Sequence, residues 1–132
     1  VTKGEVIISS EEIDYPDVEI PDILIVMAQQ AFDKFYNQAK NDTLFIIDSS
    51  MVKTEKTNFA GKNSLFVDAS ELSRNEFKKD INANIIALGT LIKNTNLISK
   101  EEVIDSYKEF YPKGNLNDFS RAIDIGVSNF NR

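Results

Sequence analysis

The chain has 132 residues, 42% of them apolar, with 15 Lys and Arg against 21 Asp and Glu, and it contains neither Cys nor His. That length and balance predict one ordered domain over residues 1–132, while the missing thiol and imidazole exclude disulfides, thiolate nucleophiles, cysteine-ligated clusters, Ser-His-Asp catalysis and the usual zinc sites. A net charge of −6 argues against a nucleic-acid surface, and no run of about 18 apolar residues or signal-like start points to a membrane or to export, so a cytoplasmic protein is expected.

Glu5–Ser9 is a short β-branched run that predicts a first strand. Asp14–Asp22 follows as an acidic, proline-punctuated loop. Ile23–Ala28 is continuously apolar, as in a parallel strand covered on both faces. From Gln29 to Lys40, Phe32, Phe35, Tyr36 and Ala39 recur at helical spacing and predict an amphipathic helix laid on the sheet. Thr43–Asp48 repeats the buried-strand pattern, so the strand-helix-strand order implies a right-handed parallel crossover.

Ser49–Asn63 is polar, with a turn expected at Gly61, and Ser64–Asp68 reads as the next strand, nearer an edge. A long helical stretch follows, in which Ile81, Ile85, Leu88 and Ile92 form an apolar stripe. Beside it Ala83, Ala87 and Thr90 form a small-residue strip suited to close approach, and Gly89 fits the same purpose. Ser99–Glu102 is a capping box opening a helix with Val103, Ile104, Tyr107 and Phe110 inward, ended by Pro112 and Gly114. Leu116, Phe119, Ile123, Val127 and Phe130 mark the last helix. The expected fold is a three-layer, Rossmann-like α/β domain, its mostly parallel sheet flanked by helices, with a helical C-terminal part and three helices after the last strand.

Ligands of open parallel sheets bind outside the carboxyl ends of the strands. Those ends fall at Ala28-Gln29-Gln30, Asp48-Ser49-Ser50 and Asp68-Ala69-Ser70, so Gln29, Gln30, Ser49, Ser50 and Ser70 are the candidate cofactor-binding residues. Hydroxyl, amide and carboxylate groups there suit a ribose or phosphate, although the same residues also serve as helix caps and turn formers. No GxGxxG or GxxxxGK is present to complete a dinucleotide or P-loop site. Glu11, Glu12, Asp14, Asp17, Glu19 and Asp22 lack the alternate spacing and turn glycine of a calcium loop and read as a solvated segment. The aromatic set Phe32, Phe35, Tyr36, Tyr107, Phe110 and Tyr111 fits core and interface packing better than cofactor stacking. No catalytic residue and no metal ligand is assigned.

Glu5-Val-Ile-Ile-Ser-Ser-Glu-Glu-Ile-Asp-Tyr-Pro16 and Pro21-Asp-Ile-Leu-Ile-Val-Met-Ala-Gln-Gln-Ala-Phe-Asp-Lys-Phe35 resemble the gamma subunit of 2-oxoacid:ferredoxin oxidoreductases, most of all the 2-oxoglutarate type. Leu44–Ser50, Asn84–Gly89, Leu97–Glu101 and Pro112–Gly114 resemble later segments of that family in the same order. The family's opening glycine-rich strand-turn-helix has no counterpart here, so the chain matches the C-terminal portion of a gamma-type domain. The resemblance implies a non-catalytic subunit in the oxidative decarboxylation of 2-oxoglutarate or pyruvate to an acyl-CoA, with ferredoxin as electron acceptor. It implies alpha and beta subunits as partners, with a ferredoxin-like delta subunit as a further one, and thiamine diphosphate, iron–sulfur clusters and CoA held elsewhere in the complex, with no cofactor in this chain. The competing readings are a stand-alone small-ligand or nucleotide-binding module and an independent carboxylate-based enzyme.

Overall fold

A computed structural model of the chain describes residues 2–54 and 63–132. Its sheet has three strands in the order β1 (Ile23–Val26), β2 (Leu44–Asp48), β3 (Asn63–Val67), all parallel, with Ile25 opposite Ile46 and Ile46 opposite Leu65. Phe45, Ile46 and Ile47 of the central strand are fully buried, each contributing roughly 1.5–3 kcal/mol by burial. Alternation along the strands sends Val26, Phe45 and Ile47 towards Phe32 of α1 (Gln29–Phe35), and Ile46, Leu65 and Val67 towards Ala83, Ile86 and Ala122. Those last three residues belong to α3 (Ala83–Asn94) and α5 (Leu116–Ser128). Helices therefore cover both faces, as the three-layer expectation requires.

The crossover from β1 to β2 runs through α1, a single 3-10 turn over Tyr36–Gln38, and a locked corner. In that corner the buried Thr43 hydroxyl donates to the Pro21 carbonyl (2.7 Å) and accepts from the Lys40 N–H (3.1 Å). Nearby, the Lys40 ammonium meets Asp22 at 2.6 Å, and this hydrogen bond holds the lysine pKa above its ordinary value. The regular helix stops at Phe35, short of the expected Lys40, and Tyr36 at its end packs on both Phe32 (5.1 Å between rings) and Phe45 (5.8 Å).

Glu5–Ser9 departs from expectation: it forms no strand, and Val6 is 79% exposed. A β-branched run forms a strand only with a partner, and here it finds none among the described residues. Beyond β2, Met51 and Val52 close a turn on the Asp48 carbonyl, and the expected Gly61 turn lies outside the described residues.

The long helical stretch after β3 is in fact α2 (Ala69–Phe77) and α3, so four helices follow the sheet. The break is at Lys78, whose φ of 63° is left-handed, and Ser73 secures the turn by donating to the Lys79 carbonyl and accepting from the Asn82 N–H. The Ile81–Ile92 stripe is also corrected, since Ile81 is exposed and Ile85, Leu88 and Ile92 are only half-buried. It is the small strip of Ala83, Ala87 and Thr90, with Gly89, that is buried. This close-packing face lies against α5: a Cβ on Gly89 would sit 2.2 Å from the Ile123 carbonyl oxygen, and one on Gly126 would meet the Ile86 carbonyl oxygen. The Thr90 hydroxyl donates to the Gly126 carbonyl across the same contact (2.9 Å).

α4 (Lys100–Phe110) opens with the expected capping box, Ser99 and Glu102 bonding reciprocally at 3.1 and 3.0 Å. It packs through Tyr107 stacked on Phe119 (3.9 Å), whereas Phe110, expected inward, is 71% exposed. Past α5, Asn131 exchanges two backbone hydrogen bonds with Phe66 (2.7 and 2.8 Å), an antiparallel bridge on the outer edge of β3. No described helix is long and apolar enough to cross a membrane.

Candidate functional site: the strand-end network

The carboxyl ends of β2 and β3 meet at a buried carboxylate. Asp48 closes β2 with no solvent exposure. Its Oδ1 accepts from the N–H (3.1 Å) and hydroxyl (2.5 Å) of Ser50, and its Oδ2 accepts from the N–H (3.2 Å) and hydroxyl (2.6 Å) of Ser70. Four donors on one buried carboxylate satisfy its lone pairs, which is what makes such burial tolerable.

The same bonds cap a helix. Asp68 stands at the N-cap of α2, yet its side chain makes no capping bond there and instead accepts from the Ser49 hydroxyl (2.6 Å). The free N–H groups in the first turn of α2 are served from the neighbouring strand: Ser70 by Asp48, and Glu71 by the Ser50 hydroxyl oxygen (3.2 Å). A negative charge there also complements the helix dipole. The cap of α2 is thus donated by β2, and it ties the two strand ends together.

Ser50 and Ser70 are brought into one network on Asp48, with Ser49 on Asp68 beside it, and each hydroxyl is directed at a protein carboxylate. Gln29 is engaged separately, its amide donating to Asp33 (3.1 Å) and its Oε1 accepting from the Lys53 N–H (2.7 Å). That contact pins the loop after β2 to α1. Gln30 is exposed on the first turn of α1. Chemically the cluster resists two uses. A nucleotide phosphate at the start of α2 would find the N–H groups of Ser70 and Glu71 taken and a carboxylate in its place, and Asp48 is closed to any substrate proton.

Sequence reasoning named the serines but not Asp48 as their centre. The signal was present, since an Asp that ends a fully apolar strand just before two serines is a buried charge awaiting donors. The acidic segment 11–22 is solvent-facing as expected, and among the described residues no group of three or more carboxylates is placed to hold a metal. Phe32 and Tyr36 are core packing; Tyr107, Phe110 and Tyr111 line an open cleft of about 400 Å³.

Residues 1–128 match the family model described as pyruvate ferredoxin/flavodoxin oxidoreductase. The 2-oxoglutarate synthase subunit KorC of Methanocaldococcus jannaschii is 35% identical over 128 residues, covering 94% of this chain and 68% of that protein. The subunit of the same name from Methanothermobacter marburgensis is 32% identical over 129 residues, covering 95% and 69%. Among solved structures, the gamma subunit of a keto/oxoacid ferredoxin oxidoreductase from Geobacter sulfurreducens superposes with a TM-score of 0.69 at 25% identity, over 80% of this chain and 62% of that one. A 2-oxoglutarate:ferredoxin oxidoreductase from Magnetococcus marinus shares the fold, with a TM-score of 0.73 at 24% identity over 89% of this chain and 21% of that one.

Proposed function

Because the chain belongs to the pyruvate ferredoxin/flavodoxin oxidoreductase family, we propose that it works as a gamma-type subunit of a complex that oxidises 2-oxoglutarate to its CoA ester and passes the electrons to ferredoxin. The observation that carries this reading is the family match over residues 1–128, supported by relatives named as 2-oxoglutarate synthase subunits over most of the same span. The donor set agrees with a supporting role. These 132 residues contain no Cys to ligate a cluster, so we assign the cluster thiolates to the other polypeptides of the complex, and the resemblance to the family assigns the thiamine diphosphate there as well.

This chain's own contribution is positional. The carboxylate of Asp48 locks the ends of β2 and β3, and the turns and helix starts that carry Gln29, Gln30, Ser49, Ser50 and Ser70 become a stiff wall. We assign that wall to the side that faces the cofactor- or CoA-bearing neighbour, as parallel-sheet topology favours. Exposed Gln30 is the residue on it best placed to touch a ligand, and Gln30→Ala should raise the KM for CoA with kcat little changed.

The test is reduction of a low-potential viologen dye by the reconstituted complex with 2-oxoglutarate and CoA. Omission of this chain should abolish turnover or assembly, and the chain alone should be inactive. Turnover by the purified chain alone would sink the subunit reading.

A further inference from the structure

Gln29 differs from the other wall residues in what its side chain joins. α1 opens on Ala28, which places no side-chain cap on the first turn, and the helix buries one residue, Phe32. Packing therefore anchors α1 beyond Gln30, and the first turn is held by other means. The Gln29 amide nitrogen donates to Asp33 one turn further on (3.1 Å), and this bond orients the amide so that its Oε1 accepts from the Lys53 N–H (2.7 Å). Among the described residues, no other side-chain hydrogen bond joins that turn to another element. Beneath it, buried Val52 lies in the same core cluster as Phe32. The bond to Lys53 thus closes at the surface a contact that packing holds at its base.

We propose that Gln29 is a positioning residue and not a ligand contact: it clamps the loop after β2 to the start of α1, and so fixes the pose from which Gln30 meets the ligand. The proposal rests on the subunit reading for the ligand, CoA, and on the two hydrogen bonds for the positioning. Losing the clamp removes about one net hydrogen bond. That leaves the core intact but frees the first turn of α1, and a small displacement of a positioning group is enough to weaken what it presents.

Two measurements test this. In the chain, amide exchange followed by NMR should show the Lys53 N–H exchanging about tenfold faster in Gln29→Ala than in the parent, with the amides of β2 unchanged. In the reconstituted complex, the viologen assay should give Gln29→Ala a KM for CoA raised about fivefold, with kcat within about twofold. Gln29→Glu/Asp33→Asn keeps an acceptor for the Lys53 N–H and reverses the bond between positions 29 and 33, so it should return both readouts to within about twofold of the parent. In a Gln30→Ala background, Gln29→Ala should add less than about twofold to KM, because a residue that acts through Gln30 has nothing left to position. Effects of the two substitutions that multiply would make Gln29 a ligand contact and overturn the proposal. An unchanged exchange rate at Lys53, or a raised KM that the paired substitution fails to lower, would overturn it as well. A complex that turns over equally well without this chain would instead sink the subunit reading, while exchange at Lys53 still decides whether Gln29 holds the loop.

Discussion

At the scale of single residues, Asp48 is the position where the most depends on one side chain. Asp48→Asn keeps the shape but turns an NH₂ group towards N–H and hydroxyl donors, so it should cost about 2 kcal/mol or more in urea unfolding. Ser70→Ala removes one donor of four and should cost about 1 kcal/mol. Lys40 offers a pH test. Its folded pKa is raised by the hydrogen bond to Asp22, so the contribution is complete below the ordinary 10.5 and fades as pH rises through the higher folded value. The melting-temperature gap between the parent and Lys40→Met should therefore stay constant from neutral pH to the lysine range and close above it.

At the scale of elements, the α3–α5 contact is governed by the absence of side chains. Gly126→Ala would drive a methyl group into the Ile86 carbonyl, and backbone cannot yield as a flexible side chain does. A loss of about 3 kcal/mol in chemical denaturation is expected. Ala87→Leu should cost about 1–3 kcal/mol for the same reason, Ala87 being buried in that face. The α2–α3 break predicts the opposite sign. Lys78 holds a left-handed φ that costs a side-chain-bearing residue about 1–2 kcal/mol, so Lys78→Gly should stabilise the fold by about 0.5 kcal/mol after its larger unfolded-state entropy is counted.

At the scale of the whole molecule, the two sheet edges are treated differently. The outer edge of β3 receives Asn131, whereas among the described residues β1 ends the strand order with its outer edge unpaired, and Ile25 is 39% exposed. Since Leu44 donates to the Asp22 carbonyl (2.9 Å), the alternation of a parallel ladder turns the peptide groups of Ile23 and Ile25 outward. An unpaired edge of this kind recruits other strands. Ile25→Lys should accordingly lower the light scattering of concentrated solutions of the isolated chain without lowering its melting temperature by more than a few degrees.

Local chemistry alone determined several features of this protein: β1, β2 and β3 from runs of apolar residues, the crossover from its aromatic spacing, the capping box from Ser99 and Glu102, and the close-packing strip from Ala83, Ala87 and Thr90. These features are legible because each depends on residues near one another in sequence. Tertiary structure decided what depends on distant partners. Glu5–Ser9 has strand chemistry but no neighbour to pair with, so it stays irregular. The turn at Lys78 carries no Gly or Pro to announce it and exists because Ser73 binds across it. Phe110 points to water because α5 offers its stacking surface, Phe119, to Tyr107 instead. Ser50 and Ser70 lie 20 residues apart in the chain, and only the parallel pairing of β2 with β3 brings both hydroxyls onto the carboxylate of Asp48.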